Sequence, residues 1–222
     1  MNNSVSNTAR LLWAGLRALL VLTVVTGVIY PLAVTGIAQG LLPGKANGSE
    51  IKADGKVVGS SLIGQSYNLP LKEGQETPEP DLKWFQGRPA NGLGTNSVNT
   101  QYKLILSGAT NRSGDNKDLI DWVTAAKAAV VKDNSVDGYT VQPSDVPADA
   151  VTSSGSGLDP NISPDYADIQ VHRVAEKNGL SVAQVQKLVD EHTDGRTLGF
   201  IGEPRVNVLE LNIALKELLA KS

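Results

Sequence analysis

The stretch ALLVLTVVTGVIYPLAVTGIAQGLL, residues 18–42, decides how this chain is organised, because it is 25 residues long and contains no charged side chain. A helix of that length reaches about 37 Å, which exceeds the roughly 30 Å hydrocarbon core of a bilayer. A cleaved secretory signal is the alternative, but its apolar core is usually about 7–15 residues long and ends at a small-residue cleavage site. The length therefore predicts one transmembrane helix, within residues 11–42.

The charges that flank this segment predict its orientation. Arg10 and Arg17 are the charged residues among the first 42, whereas the chain just beyond carries both signs. Because positively charged flanks stay in the cytoplasm, residues 1–10 are expected on that side. The part of the chain beyond the membrane helix is then expected outside, in the periplasm of a bacterium. Residues 43–55 are typical of a tether, and residues 56–222 of an α+β extracytoplasmic domain.

Small residues recur along the apolar segment at the spacing that lets helices approach each other closely. Gly36 and Gly40 form one such pair, and Thr23 and Gly27 form another. Pro31 lies between the pairs and is expected to kink the helix, since it lacks an N–H and collides with the preceding turn. Gly and Pro are common in membrane helices generally, so a packing surface stays a hypothesis. Two pairs and a kink favour a partner helix over a simple anchor.

Composition excludes several classes of function. The chain has no cysteine, which rules out disulfides, thiolate catalysis and cysteine zinc sites. Its formal charge is −3, and the part beyond the first 42 residues has 18 basic and 23 acidic side chains. Nucleic-acid binding requires a basic face, so it is not expected. A second apolar stretch of transmembrane length does not occur, and one helix cannot form a transport path alone.

The extramembrane part shows legible secondary-structure signals. Residues 57–64 are predicted as a strand, residues 118–132 as a helix capped by Asp118, and residues 196–203 as a strand with glycine at each bend. Residues 90–116 are dense in Gly, Asn and Ser and are predicted as a long loop of the functional or partner-ordered kind. Three helices with strong capping signals close the chain. These signals are Ser163-Pro164 with a stop at Asn178-Gly179, Ser181 with Gln184, and Asn207 with Glu210.

A catalytic site does not emerge from the residue pattern. His172 and His192 lie on different predicted helices without metal-ligand spacing. The sequence SSGSG at residues 153–157 matches neither the nucleophile elbow nor the phosphate-binding loop. A membrane-anchored hydrolase using Asp159 or Glu203 would need a perturbed acid beside a nucleophile, and a stand-alone solute-binding module is a further alternative. The chain also has no Asp-Lys-Thr-Gly phosphorylation motif and no Thr-Val-Gly-Tyr-Gly potassium filter.

Several segments, taken in order along nearly the whole chain, resemble the KdpC family, the C subunits of bacterial Kdp potassium-transporting ATPases. The segments that carry the resemblance are TGVIYPL (26–32), ANGS (46–49), IGQ (63–65), GRP (87–89), SGLDP (156–160), ISP (162–164) and GFIGEPRVNVL (199–209). The resemblance implies a non-catalytic accessory subunit of a high-affinity, ATP-driven potassium uptake complex in the bacterial inner membrane. The subunit is expected to serve assembly and stability, and as a catalytic chaperone to raise the ATP affinity of the ATPase subunit.

The same resemblance implies partners and site residues. The expected partners are the channel-like subunit KdpA, the P-type ATPase subunit KdpB, the small subunit KdpF and the lipid bilayer. The subunit is expected to have no cofactor of its own, and ATP is expected to be involved only through the ATPase partner. Family proposals place nucleotide binding at a serine-glycine loop, here Ser107 and Gly108, although the sequence departs from the family pattern from residue 109 onward. The signature-loop residues are Gly87, Arg88, Pro89, Gly157, Asp159, Pro160, Gly202, Glu203, Pro204, Arg205 and Asn207.

The predicted orientation and the ATP proposal conflict with each other. A domain outside the membrane cannot touch cytosolic ATP, so the charge asymmetry argues against direct nucleotide contact. The geometry implied by the flanking arginines is the stronger of the two indications. We therefore expect any influence on ATP affinity to be transmitted through a partner.

Overall fold

The computed structural model describes residues 3–75, 78–89 and 107–221. The chain divides into two compact units along the sequence, residues 1–50 and residues 51–222. Most of the predicted long loop, residues 90–106, lies outside the described residues. The two units are described separately below.

The first unit is dominated by a helix with one local change in its hydrogen-bond pattern. Its segments are α1 (Asn3–Val24), a π-helical turn (Val25–Ile29) and α2 (Tyr30–Leu41). The N–H of Tyr30 donates to the carbonyl of Val25, five residues back. Pro31 follows directly and lacks the N–H that an α-helical ladder needs. The structure thus has a wider turn next to the proline, a usual way for a helix to absorb a disrupted ladder.

This helix is long enough to cross a membrane. Within the described part of the chain, Ser4–Leu41 is the one candidate span, with 38 residues. At about 1.5 Å per residue it reaches about 57 Å, well beyond the roughly 30 Å apolar core of a bilayer. Its apolar side chains are exposed, as expected for a segment whose surroundings are lipid or another helix. A short helix, α3 (Pro43–Ala46), follows.

In its described residues, the second unit combines four helices with two small sheets. Its helices are α4 (Lys117–Asn134), α5 (Pro164–Asn178), α6 (Val182–Glu191) and α7 (Val208–Leu219). Two 3₁₀ turns cover Pro143–Asp145 and Ala148–Ala150. The strands are β1 (Glu50–Ala53), β2 (Lys56–Ser60), β3 (Asn161–Ile162), β4 (Thr193–Asp194) and β5 (Arg205–Asn207).

Strand β5 is the centre of the larger sheet. It pairs antiparallel with β3 on one side and with β4 on the other, giving the order β3-β5-β4. The smaller sheet is the β1-β2 hairpin, whose turn residues Asp54 and Gly55 both have positive φ. Positive φ at both central residues is what a tight two-residue hairpin turn demands. The β3-β5-β4 sheet joins segments that are distant in sequence and so brings the signature motifs together.

The hydrophobic core lies around α5. This helix packs against α4 and α6, and α7 packs against α6 and β5. The most deeply buried apolar side chains are Phe85, Ala167, Val171, Val174, Val185, Val189, Val206, Leu211 and Leu215. They come from helices α5, α6 and α7, the central strand and the segment before residue 89. The C-terminal helices therefore form the hydrophobic core against which the loops pack.

The predicted N-cap residues of the last three helices are confirmed, and the reciprocal capping box is present at α6. The hydroxyl of Ser163 accepts a hydrogen bond from the N–H of Tyr166, and Gly179 ends α5 at φ 66°. Ser181 and Gln184 form the reciprocal capping box of α6. The side chain of Asn207 accepts from the N–H of Glu210 at the start of α7. Local polar signals were sufficient here because each cap involves residues three apart.

Other element predictions need correction. Helix α4 is capped by Asn116, whose side chain accepts from the N–H of Leu119, and Asp118 lies within the helix. Strand β2 ends at Ser60 and does not continue to residue 64. Residues 196–203 form a closed loop with a single bridge between Thr197 and Ile201, not a strand. Residues 43–55, predicted as a tether, contain α3, β1 and its turn.

Candidate functional site

The C-terminal signature motif and the Asp159-Pro160 motif form one paired structure. Asn161 faces Asn207 and Ile162 faces Val206 in the β3–β5 ladder. The N–H of Val208 donates to the carbonyl of Pro160 at 3.0 Å. The two motifs are far apart in sequence, yet the ladder makes them a single rigid unit.

Asn207 ties three segments together at this unit. Its backbone belongs to β5, and its Oδ1 caps α7 by accepting from the N–H of Glu210 at 3.2 Å. Its Nδ2 donates to the carbonyl of Ser61 at 2.9 Å, in the loop that follows the β1–β2 hairpin. Both functional ends of the amide are therefore used, and the side chain acts as a structural junction.

Gly64 brings the same loop into direct backbone contact with the Asp159 motif. Its N–H donates to the carbonyl of Leu158 at 2.8 Å. A β-carbon at this position would lie 2.8 Å from the carbonyl oxygen of Asp159, which belongs to the backbone and cannot turn aside. The IGQ motif thus requires glycine for close approach of two chain segments.

Arg88 and Asp159, two predicted signature residues, meet in the folded chain. Arg88 Nη1 lies 3.4 Å from Asp159 Oδ2, and Nη2 lies 3.5 Å from the carbonyl of Thr152. Asp159 Oδ1 accepts from both the N–H and the Nδ2 of Asn161, at 2.9 and 3.1 Å. Within the described residues Arg88 Nε is buried and has no hydrogen-bond partner. The ion pair is long, so Asp159 is oriented mainly by Asn161.

A network of buried polar side chains that sequence reasoning missed positions the segment leading to Arg88. The amide of Asn212 donates to the carbonyl of Phe85 and accepts from its N–H, both at 2.9 Å. The amide of Gln170 binds Gln86 in the same way, at 3.1 and 2.7 Å. The two side chains replace a neighbouring strand for this stretch of backbone. The available signal was a polar residue on the apolar face of a helix, which rarely occurs without partners.

Arg173 lies at the centre of this network, with 1 % of its surface exposed. Its guanidinium donates to Asn134 Oδ1 at 2.8 Å, to Gln170 Oε1 at 2.7 Å, and to the carbonyls of Trp84 and Leu82. Burial lowers the pKa of Arg173 to about 10, which still leaves it charged at neutral pH. Its acceptors are neutral, so it holds the 82–86 segment through hydrogen bonds and not through an ion pair.

Ser107 and Gly108, the residues proposed for nucleotide contact, lie beside a different segment that is rich in serine and glycine, residues 153–157. The N–H of Gly108 donates to the carbonyl of Ser156 at 2.8 Å, and Gly157 has φ 67°. An adjacent groove of about 260 Å³ runs along α4 and is lined mostly by apolar side chains. The guanidinium of Arg112 lies 4.4 Å from the ring centre of Trp122. The structure brings Ser107 and Gly108 to this loop, and the groove offers apolar surface, not a phosphate cradle.

The charges of the C-terminal motif are paired locally. Arg196 Nη2 lies 2.6 Å from Glu203 Oε2, and Arg205 Nη2 lies 3.3 Å from Asp194 Oδ2. Gly202 has φ 81° and makes the bend before Pro204. A polar groove of about 370 Å³ lies next to these pairs. Its lining residues are Ser61, Leu62, Pro160, Asn161, Asp194, Arg205, Asn207 and Glu210.

The membrane-segment residues at helix-packing spacing are open to their surroundings. Gly36 and Gly40 lie one turn apart on α2, and a β-carbon added at either position would meet no atom within 4 Å. Thr23 is in α1, whereas Gly27 falls within the π-helical turn that precedes Pro31. The Gly36–Gly40 pair thus lies in regular α-helix, and the Thr23–Gly27 pair crosses a change of helix type.

The arrangement has the character of a scaffold. Its signature side chains bind backbone and one another, and among the described residues no group of His, Cys, Asp and Glu is suited to hold a metal ion. The serines near Asp159 bind within their own loop, with Ser154 Oγ and Ser156 Oγ at 3.2 Å. The hydroxyl of Ser163 donates to Asp149 Oδ1 at 2.9 Å, but the same hydroxyl caps α5 by accepting from the N–H of Tyr166, so this contact serves the helix start.

Comparisons with known proteins agree with the motifs. The family model described as "KdpC: K+-transporting ATPase, c chain" matches residues 12–217. The chain is 86% identical over 222 residues to the potassium-transporting ATPase KdpC subunit of Streptomyces avermitilis, covering 100% of both chains. It is 80% identical to that of Streptomyces coelicolor, covering 99% of this chain and 98% of the relative. It is 44% identical to that of Kineococcus radiotolerans, covering 97% and 98%.

The match thus extends over the membrane segment, the hairpin, the paired signature motifs and the last helix. The chain belongs to the KdpC family, the accessory C subunits of the K⁺-transporting ATPase complex.

Proposed function

We propose that this chain is a non-catalytic subunit of a high-affinity, ATP-driven potassium importer and that it serves the assembly and stability of the complex. The observation that carries this proposal is the use of the signature residues: Arg88, Asp159 and Asn207 bind other parts of the same chain. Side chains engaged with the same chain in this way are suited to shaping a defined surface for a partner.

We propose three protein partners, the channel-like subunit KdpA, the P-type ATPase subunit KdpB and the small subunit KdpF. Family membership supports partners in general, because the relatives are named as subunits of a potassium-transporting ATPase. The open Gly36–Gly40 pair supports a helix contact within the membrane, since a Gly-x-x-x-Gly surface lets a second backbone approach closely.

We propose that the chain crosses the bacterial inner membrane once, with its N-terminus in the cytoplasm and the 51–222 unit in the periplasm. Arg10 and Arg17 supply the positive flank. The guanidinium of Arg17 lies 5.9 Å from the ring centre of Trp13, a pairing that suits the membrane interface. Interfacial anchors near residues 13–17 leave the uncharged residues 18–42 for the apolar core.

We propose that any effect of the subunit on ATP affinity is indirect. In the proposed orientation cytosolic ATP does not reach Ser107 and Gly108. The groove beside them is lined mostly by apolar side chains, among them Leu119 and Val123, which offer no hydrogen-bond donors to a phosphate group. A change in ATP affinity would then arise through the helix contact or another contact with the ATPase subunit, as a coupling between two sites.

Copurification tests the proposed function. The tagged chain, extracted from its own membranes in mild detergent, is expected to bring down a P-type ATPase and a channel-like membrane protein. Recovery of the chain alone would overturn the proposal and would favour a membrane-anchored hydrolase or a stand-alone solute-binding module.

A pair of variants tests the helix contact within the same assay. Gly36→Leu and Gly40→Leu place branched side chains on the close-packing surface and are expected to weaken retention about five- to thirtyfold, the equivalent of about 1–2 kcal/mol. Gly15→Leu is the matched control, because Gly15 is equally open but lies outside the proposed contact. A complex that purifies intact with both changes present would contradict the helix contact.

A further inference from the structure

The loop of residues 196–203, called the apolar loop below, is closed by its own backbone. The N–H of Thr197 donates to the carbonyl of Ile201 at 2.9 Å, and the N–H of Ile201 donates back at 3.0 Å. The N–H of Gly199 donates to the carbonyl of Arg196 at 3.0 Å. The shape of the loop is therefore fixed before any partner arrives.

The apolar loop carries three large apolar side chains on its outside. Leu198 is 79% exposed, Phe200 72% and Ile201 51%. Val206, only a few residues further along, is completely buried. Exposed apolar side chains clustered on one rigid feature are typical of a binding surface, whereas scattered ones are not. The cluster is thus a feature to be explained.

The backbone of Leu198 is held in a disfavoured conformation. Its φ is 55°, in the left-handed region, and Gly199 follows at φ 81°. A residue with a Cβ is disfavoured there, and glycine or asparagine is the usual choice. The unfavourable backbone conformation of Leu198, whose side chain is exposed, does not stabilise the isolated unit. Such outliers cluster at ligand clamps and interaction sites.

The charges at the base of the loop decide between a lipid surface and a protein as its occupant. Arg196 is paired with Glu203 and Arg205 with Asp194, and Glu210 lines the adjoining groove. Two arginines against three carboxylates give the rim no positive excess. Segments that bind membrane surfaces combine apolar side chains with a surplus of Lys and Arg, because the lipid headgroups are often anionic. A protein interface instead has an apolar centre with a balanced polar rim.

The polar groove extends this surface. It shares Asp194 and Arg205 with the base of the loop, and Leu62, which is 63% exposed, lines it. A rigid apolar projection next to a groove offers a partner two complementary shapes, and anchors of this kind supply most of the binding energy in many interfaces.

We propose that the apolar loop is a preformed anchor that inserts Leu198 and Phe200 into an apolar socket on another protein subunit of the transporter. The mildly acidic rim matches a socket whose own rim is neutral or basic. This inference rests on the proposed function, because it needs a multi-subunit complex, and it adds the residues by which the 51–222 unit makes its contact.

Photo-crosslinking in the intact complex identifies what the loop contacts. A benzophenone amino acid replaces Phe200 in the full chain, expressed with its membrane partners, and a second sample carries it at Leu71, which is 57% exposed and outside the loop. An adduct with another subunit that forms from position 200 and not from position 71 is expected. An adduct with lipid alone, no adduct, or equal adducts from both positions would overturn the proposal.

A matched pair of variants tests whether the contact holds the complex together. Leu198→Asn removes the apolar side chain while suiting the positive φ, so the variant is expected to fold at least as well as the parent chain. It should leave the immobilised complex at least about tenfold faster on washing, and Leu71→Asn should not. Equal rates for parent and Leu198→Asn would overturn the anchor role. Failure of the parent chain itself to copurify would instead contradict the proposed function.

Discussion

At the scale of single residues, Arg173 does more for this fold than any other polar side chain described. Almost completely buried, it satisfies two backbone carbonyls of the 82–86 segment and two side-chain amides at once. Removing one member of such a network leaves the remaining groups buried without partners, which costs more than the hydrogen bonds contributed. Together with Asn212 and Gln170, the residue therefore positions the 82–86 segment that leads to Arg88.

We expect Arg173→Met to destabilise the 51–222 unit by about 3 kcal/mol, because four acceptors each lose a charged donor and buried Asn134 Oδ1 is left without one. Urea unfolding followed by tryptophan fluorescence measures this, since Trp84 belongs to the affected segment. Lys187→Met is the control, because Lys187 has a largely exposed side chain, and it should change the unfolding free energy by less than about 0.5 kcal/mol. Equal unfolding curves for the two variants would refute this role of Arg173.

Tyr166 gives the unit a defined alkaline response. Burial raises the pKa of its hydroxyl to about 12, against about 10 in an unfolded chain. The neutral form therefore contributes stability that is complete below pH 10 and is lost as the pH rises to 12. The lowered pKa of Arg173 acts with the opposite sign over the same range, so the tyrosine must be isolated by comparison with a variant.

Between pH 10 and 12, the unfolding free energy of the parent chain should fall relative to Tyr166→Phe by about 1.4 kcal/mol per pH unit. Both chains keep Arg173, so only the part of its contribution that comes from its electrostatic interaction with Tyr166 remains in the difference. Urea unfolding of the two chains at half-unit pH steps provides the measurement. A difference that stays constant from pH 8 to 12 would mean that burial does not perturb Tyr166.

At the scale of elements, the contact between Gly64 and the Asp159 motif joins the hairpin loop to β3. We expect Gly64→Ala to destabilise the unit by about 1–3 kcal/mol, because the added methyl group meets backbone that cannot rotate away. Gly155→Ala is the matched control, since no atom lies within 4 Å of a β-carbon there. Thermal unfolding of both variants decides the matter, and a Gly64→Ala chain as stable as the control would contradict the close approach.

The elements that sequence predicts well are those whose determinants lie within a few residues. The starts of α5, α6 and α7 depend on caps between residues three apart, and all three were predicted correctly. The start of α4 was not, because Asn116 and Asp118 are both good caps. In the folded chain Arg112 binds both side chains, and Asn116 is the one that accepts from the N–H of Leu119. Residues 196–203 have the residue composition of a strand, but they do not pair with a neighbouring strand among the described residues. The positive φ of Leu198 instead turns the chain back into a loop.

At the scale of the whole molecule, the contacts that assemble the signature motifs join residues far apart in sequence. Arg88 and Asp159 are 71 positions apart, and Phe85 and Asn212 are 127 apart. No local pattern encodes such pairs, so the motifs are visible in the sequence while their meeting is not. The membrane segment is the reverse case, because its length and lack of charge are properties of one continuous stretch.

The proposed membrane orientation has a direct test, because the chain contains no cysteine and each introduced cysteine is a unique label site. Lys187→Cys in α6 and Ser6→Cys near the N-terminus both replace exposed residues. If Arg10 and Arg17 keep the N-terminus in the cytoplasm, a membrane-impermeant maleimide added to spheroplasts should label position 187 and leave position 6 unlabelled. Inverted vesicles should give the opposite pattern, and detergent should make both sites reactive. Labelling of position 6 in spheroplasts would reverse the topology, and it would make direct contact between the 51–222 unit and cytosolic ATP physically possible.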